Sequence, residues 1–124
     1  MLLLAGLLAG CDGKYKLYSV EGTVTLPDGT PLEGVHVSFD CQELGISATG
    51  MTDSDGRYRL GTIDAGDGAP TGDYRVAVVE RDVIDIDEAP PPRISGKYGR
   101  FESSGLTFSV KEESNTFDIV LDSP

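Results

Sequence analysis

Short runs of residues alternate between apolar and polar with a period of two along most of this chain, the pattern of half-buried β-strands. Val20, Gly22, Val24 and Leu26 share one face of a first run, opposite Ser19, Glu21, Thr23 and Thr25. Val35, Val37 and Phe39 form the inward set of a second, leaving His36 and Ser38 outward. A shorter strand is predicted around Ile46 to Thr52, and another over Arg57 to Leu60 with Tyr58 and Leu60 inward. Asp73 to Arg81 is the clearest: Tyr74, Val76 and Val78 point in, Arg75 and Ala77 out. Leu106, Phe108 and Val110, then Phe117, Ile119 and Leu121, supply two closing strands.

Turn chemistry separates these runs. Pro27-Asp-Gly-Thr-Pro31, Asp53-Ser-Asp-Gly56, the loop from Asp64 to Gly72, and Glu112-Glu-Ser-Asn115 are rich in residues that favour turns or tolerate positive φ. No window carries a helical period. Seven short strands at this spacing predict an all-β, seven-stranded Greek-key β-sandwich over residues 18–124. The exception is residues 82–105. There Asp82, Asp85, Asp87 and Glu88 precede Pro90-Pro-Pro92, and Arg93, Lys97 and Arg100 follow. A long loop of this kind either binds something or covers a sheet edge, and its two charge blocks could pair with each other.

The chain of 124 residues carries a formal net charge of −11, which removes the basic face that nucleic-acid binding requires. After its first residues it is long enough for one domain. Composition gives a modest core, with 39% hydrophobic residues and no Trp.

Ahead of the alternating pattern lies a different one. Residues 1–10 are an apolar run ending Leu8-Ala-Gly-Cys11, too short for a bilayer span of about 20 residues but suited to the apolar region of a signal peptide. The segment resembles the lipobox of bacterial lipoproteins, in which cleavage precedes a cysteine that then carries lipid. The resemblance implies a signal peptide at 1–10, lipid attachment (diacylglyceryl and palmitate-type chains) at Cys11, and a tether over 11–17. It also implies a membrane-anchored, extracytoplasmic place in the bacterial cell envelope. No Lys or Arg precedes the apolar run, so the natural start is expected upstream of Met1. With Cys11 consumed, Cys41 has no partner for an internal disulfide. Among the acids Asp40 and Glu43 it reads as a structural thiol, not a nucleophile.

Four stretches together resemble the carboxypeptidase regulatory-like domain, a transthyretin-like, prealbumin-type sandwich that small bacterial lipoproteins carry alone. They are Val20 to Leu26, Gly29 to Phe39, Thr49 to Tyr58 and Gly72 to Val78; Lys97-Tyr98 and Ser103 to Thr107 add to the likeness. The resemblance implies the fold and no particular activity. Transthyretin-like hydroxyisourate hydrolases use several histidines and a terminal Tyr-Arg-Gly-Ser. This chain has one histidine and ends Leu121-Asp-Ser-Pro124.

Candidate chemistry in the sandwich is thin. His36 is outward, without local acid–base partners, so no catalytic residue, no enzyme activity and no cofactor are expected. Asp53 and Asp55, in Asp-x-Asp-Gly, look like the opening of a calcium loop, and Asp64, Asp67 and Asp73 could add oxygens; a strand interrupts the spacing such a loop needs. An isopeptide cross-link would need an inward Lys, and the inward positions read as apolar. What remains is a lipid-displayed module that binds an envelope protein or a glycan. The alternatives are a purely structural envelope component or, third, a calcium-binding module. A glycan site would need exposed aromatics, which points to Tyr98 and Phe101 in the long loop, and to Tyr15 and Tyr18 by the tether.

Overall fold

The computed structural model describes residues 15–80 and 91–124. The signal segment, Cys11, and the acidic block with Pro90 lie outside the described residues.

Two sheets face each other. One is ordered β3 (Ile46–Met51), β2 (Val35–Cys41), β5 (Gly72–Glu80), β6 (Leu106–Val110), with every neighbour antiparallel. The other centres on β1 (Val20–Thr25), flanked by antiparallel β4 (Arg57–Arg59) on one side. On its other side run the parallel strands β7 (Asn115–Thr116) and β8 (Ile119–Val120). The alternation read from the sequence is the alternation of burial. Val20, Val24, Val35, Val37, Phe39, Leu60, Val76 and Leu121 are fully buried, and Tyr58, Tyr74, Val78 and Ile119 nearly so. Cys41 ends β2 in this core as a free thiol.

Among the described residues the strands number eight, where the alternation predicts seven. The predicted seventh strand is interrupted at Phe117-Asp118, and the cause is local. The Asp118 carboxylate accepts the Thr23 N–H at 3.0 Å, taking a place in the ladder that a main-chain carbonyl would fill. The Phe117 carbonyl instead accepts the Tyr58 hydroxyl. The ladder then resumes, with Leu121 N–H donating to the Thr25 carbonyl.

Helical structure is not wholly missing either. A 3-10 turn (Gly96–Gly99) and a single-turn helix α1 (Phe101–Ser104) follow the prolines. Both pack against β5. Pairing with β6 covers only Gly72 to Val76 of β5. Beyond it this segment takes over, and the Ser104 hydroxyl donates to the Val76 carbonyl. Ala77, outward by parity, is consequently buried. The segment thus covers a sheet edge, one of the two roles its length suggested. It is held at Ile94 and Tyr98, both buried. Its Arg93 guanidinium pairs with Glu80, Nε to Oε1 at 3.0 Å, and donates to the Glu33 carbonyl.

The inward set is also less apolar than the pattern implies. Asn115 is buried, its amide donating to the carbonyls of Ser19, Lys111 and Glu113, and Thr52 is buried with its hydroxyl accepting the Val35 N–H. Each fixes a turn by satisfying main-chain groups that would otherwise be buried unpaired.

Gly22 is required where β1 passes the interruption. A Cβ there would sit 2.0 Å from the Phe117 carbonyl oxygen, a backbone atom that cannot move without breaking the Tyr58 hydrogen bond. Gly22→Ala is therefore expected to destabilise the domain by roughly 2–3 kcal/mol, an overpacking cost. Chemical denaturation reads the difference, and unchanged stability would mean the last strand does not close on β1 at this point.

Candidate interaction surface

On the outer face of the β3-β2-β5-β6 sheet, side chains from all four strands converge. The registers Asp40↔Ser47, Asp40↔Arg75 and Arg75↔Thr107 align one row across all four strands. In that row Arg75 Nη2 bonds Asp40 Oδ2 at 2.8 Å, and the guanidinium lies 5.0 Å from the Phe101 ring. Arg75 Nε is buried without a partner, so the stacking on Phe101 and the Asp40 bond carry its placement. Next to it Ser109 donates to Asp73 at 2.6 Å. Asp40, Gln42, Glu43, Asp73 and Thr107 border an open groove of about 640 Å³. Three carboxylates against one guanidinium leave this groove acidic.

The sequence-predicted residues divide clearly. Asp53 is on an exposed turn, and its Oδ1 accepts the N–H groups of Asp55 (2.9 Å) and Arg57 (3.0 Å). Those two bonds, Arg57 first, hold its carboxyl below the usual aspartate range. One of its carboxylate oxygens is thus engaged in building the turn, with Gly56 at positive φ closing it. Asp67 does the same for the preceding loop. Burial pushes its carboxyl up, but N–H donors from Asp64, Thr62 and Ile63 outweigh it and the net shift is downward. Asp73 is occupied by Ser109. Among the described residues no three His, Cys, Asp or Glu side chains are grouped as metal ligands.

The aromatic residues expected to be exposed are mostly engaged. Tyr98 is buried, its hydroxyl receiving the Asp122 N–H at 3.1 Å, and Phe101 is half-buried beneath Arg75. Tyr18 exchanges two main-chain hydrogen bonds with Ala69 and, like Tyr15, is half-buried. The sequence placed Tyr98 on a loop and so read it as available; its partner Asp122 is 24 residues away and gives no local signal.

The phenols of the sandwich do structural work. The Tyr74 hydroxyl donates to the Pro70 carbonyl, and burial, with the Cys41 thiol nearby, pushes its pKa up to about 12. Tyr58 is likewise raised, by burial and then by the Asp118 charge. Neither is poised to lose a proton near neutrality.

A family model for the carboxypeptidase regulatory-like domain matches residues 19–83, more than half of the 124 residues. The chain belongs to that family. Its matched part carries β1 through β5, so both sheets of the carboxypeptidase regulatory-like fold are represented in it. Comparison with curated proteins and with solved structures gives no match.

Asp28, Asp53 and Asp67 are all depressed by main-chain donors: Thr30 for Asp28, Arg57 and Asp55 for Asp53, and Asp64, Thr62 and Ile63 for Asp67 against an opposing burial effect. A carboxyl whose folded pKa lies below its unfolded value stabilises the fold above the unfolded pKa and loses that contribution as pH falls through the folded one. The melting temperature is therefore expected to hold down to about pH 4 and to fall below it, starting near the ordinary carboxyl value of 3.8. Asp53→Asn, which keeps an acceptor oxygen without the titration, should shrink that acid loss. An equal loss in wild type and variant would remove Asp53 from the account.

Proposed function

We propose that this protein is a lipid-anchored cell-envelope module, held at Cys11, that displays a non-catalytic sandwich for interaction with a protein or glycan partner. The observation that carries the reading is the Leu8-Ala-Gly-Cys11 sequence placed shortly before a sandwich. Around that sandwich, the candidate polar side chains are bound to the protein's own main chain or to each other. Asp53 and Asp67 build turns, Tyr58 and Tyr74 donate to carbonyls, and Arg75 pairs with Asp40. His36 has Val79 and Met51 as its cross-strand neighbours, not an acid or a nucleophile. General acid–base catalysis needs such partners in reach; this arrangement supports display over turnover.

Stable anchoring by lipid takes more than one acyl chain, which the N-terminal chemistry of a lipoprotein cysteine supplies. The net charge of −11 keeps the domain off an anionic bilayer, leaving its faces available to a partner. The acidic groove beside Arg75 is the face best suited to a basic or hydroxyl-rich partner. Because Ile94 and Tyr98 belong to the core, a loop test should spare them. Replacement of residues 82–89 by a Gly/Ser segment of equal length leaves residues 91–104 in place.

Two readouts test the proposal. Radiolabelled palmitate is expected to enter the wild-type protein in a bacterial host supplied with the complete signal segment. Cys11→Ser should abolish labelling and move the protein from the membrane to the soluble extracytoplasmic fraction. Label retained by the Cys11→Ser variant, or wild type recovered from the cytoplasm, would overturn the anchoring.

A further inference from the structure

One row of the outer sheet face lies apart from the acidic groove. The registers His36↔Met51 and His36↔Val79 set three side chains abreast on β3, β2 and β5. Met51 and Val79 are 52% and 41% exposed, two of only four large hydrophobic side chains so exposed among the described residues. His36 between them is half-buried. The chain's single imidazole thus faces its single thioether other than Met1. We propose that His36 and Met51 form a surface site for a soft monovalent cation of the Cu(I) class, bound through an imidazole nitrogen and the Met51 Sδ.

The register makes the approach close. Thr52 N–H donates to the Val35 carbonyl, and Thr49 turns its N–H and C=O the other way, to Gly61. Val35 and Thr52 are therefore a hydrogen-bonded pair and Ser38 and Thr49 are not. By the alternation of an antiparallel ladder, His36 and Met51 are a non-hydrogen-bonded pair. Such pairs bring Cα atoms to about 4.5 Å and side chains nearest together. Both Cβ atoms then rise from one face, roughly 5 Å apart. A methionine's three rotatable bonds allow its sulfur to swing to a metal held by the ring.

The donor set selects the ion. Thioether sulfur favours Cu(I), whereas Ca²⁺ and Mg²⁺ take carboxylate, carbonyl and water oxygens. Ser38, Thr49 and Val79, the neighbouring outward positions on these strands, are uncharged. Glu21, Asp53, Arg57 and Arg59 border the same groove as Met51, and Asp53 Oδ1 already accepts the N–H groups of Asp55 and Arg57. Val79 gives one flank of the pair an apolar wall. The imidazole contributes an unprotonated ring nitrogen.

Ag(I), a redox-inert stand-in, is the probe, titrated into the full chain carrying Cys11→Ser, which removes the N-terminal thiol that would take up the first equivalent, and into the same chain with Met51→Leu or His36→Gln. Both substitutions are at surface positions and keep side-chain bulk, and thermal melts confirm that each variant folds. NMR of the Met51 methyl and the His36 ring is expected to show both signals shifting together and saturating at one equivalent. Competition with a Cu(I) chelator should show each variant weakening Cu(I) binding by on the order of tenfold or more. Metal that binds with the Met51 methyl unmoved, as it would at a cysteine sulfur, overturns the assignment. Variants that bind as tightly as wild type overturn it too.

Discussion

Phe39 is the side chain on which the two sheets meet. It is fully buried near the end of β2, and its ring lies 5.9 Å from Tyr74 and 5.9 Å from Phe108 within its own sheet. Across the interface it meets Phe117 edge-on at 6.1 Å, and Phe117 in turn stacks on Phe108 at 4.8 Å. Neither sheet can bury its inner face alone, and a sandwich exists only where the two apolar faces close on each other. The aromatic cluster sets where they close. Phe117 reaches it from the β1 ladder, where its N–H donates to the Glu21 carbonyl beside the strand break. The break is fixed by Asp118 in the β1 ladder and by the Tyr58 hydroxyl on the Phe117 carbonyl. Gly22 leaves the room for that carbonyl. Packing, ladder and hydrogen bonding therefore depend on one another around a single interface.

The inward faces of β1, β2 and β5 were legible because a strand half-buried in a sandwich must alternate, and nothing local competes with the period. The broken closing strand was not. Asp118 occupies an outward position, where an aspartate reads as an ordinary solvated residue; that it enters the β1 ladder follows from a contact 95 residues distant. The segment after the prolines was missed for a related reason. Its anchors are a Ser104 hydroxyl on β5 and a Tyr98 phenol on Asp122, tertiary contacts that leave no periodicity. Asp53 shows the reverse case, since the Asp-x-Asp-Gly order that looks like the opening of a cation loop specifies a turn built on Asp53 Oδ1.

Family membership and architecture agree on a two-sheet scaffold. On its outer face Arg75, paired with Asp40, lies over the Phe101 ring at one end of the four-stranded sheet. The row from Met51 to Val79 leaves soft and apolar groups open at the other. A strongly acidic domain gains solubility from its charge.

Native-state hydrogen exchange on Phe39→Ala tests most directly whether one aromatic contact joins the two sheets. Truncating a buried phenylalanine costs about 3–5 kcal/mol. If Phe39 couples the sheets, the slowest amides of β2 and β5 and those of β1 lose protection together and by similar factors. Wild-type protection persisting in β1, while β2 and β5 open, would show that the sheets are stable independently and contradict the account.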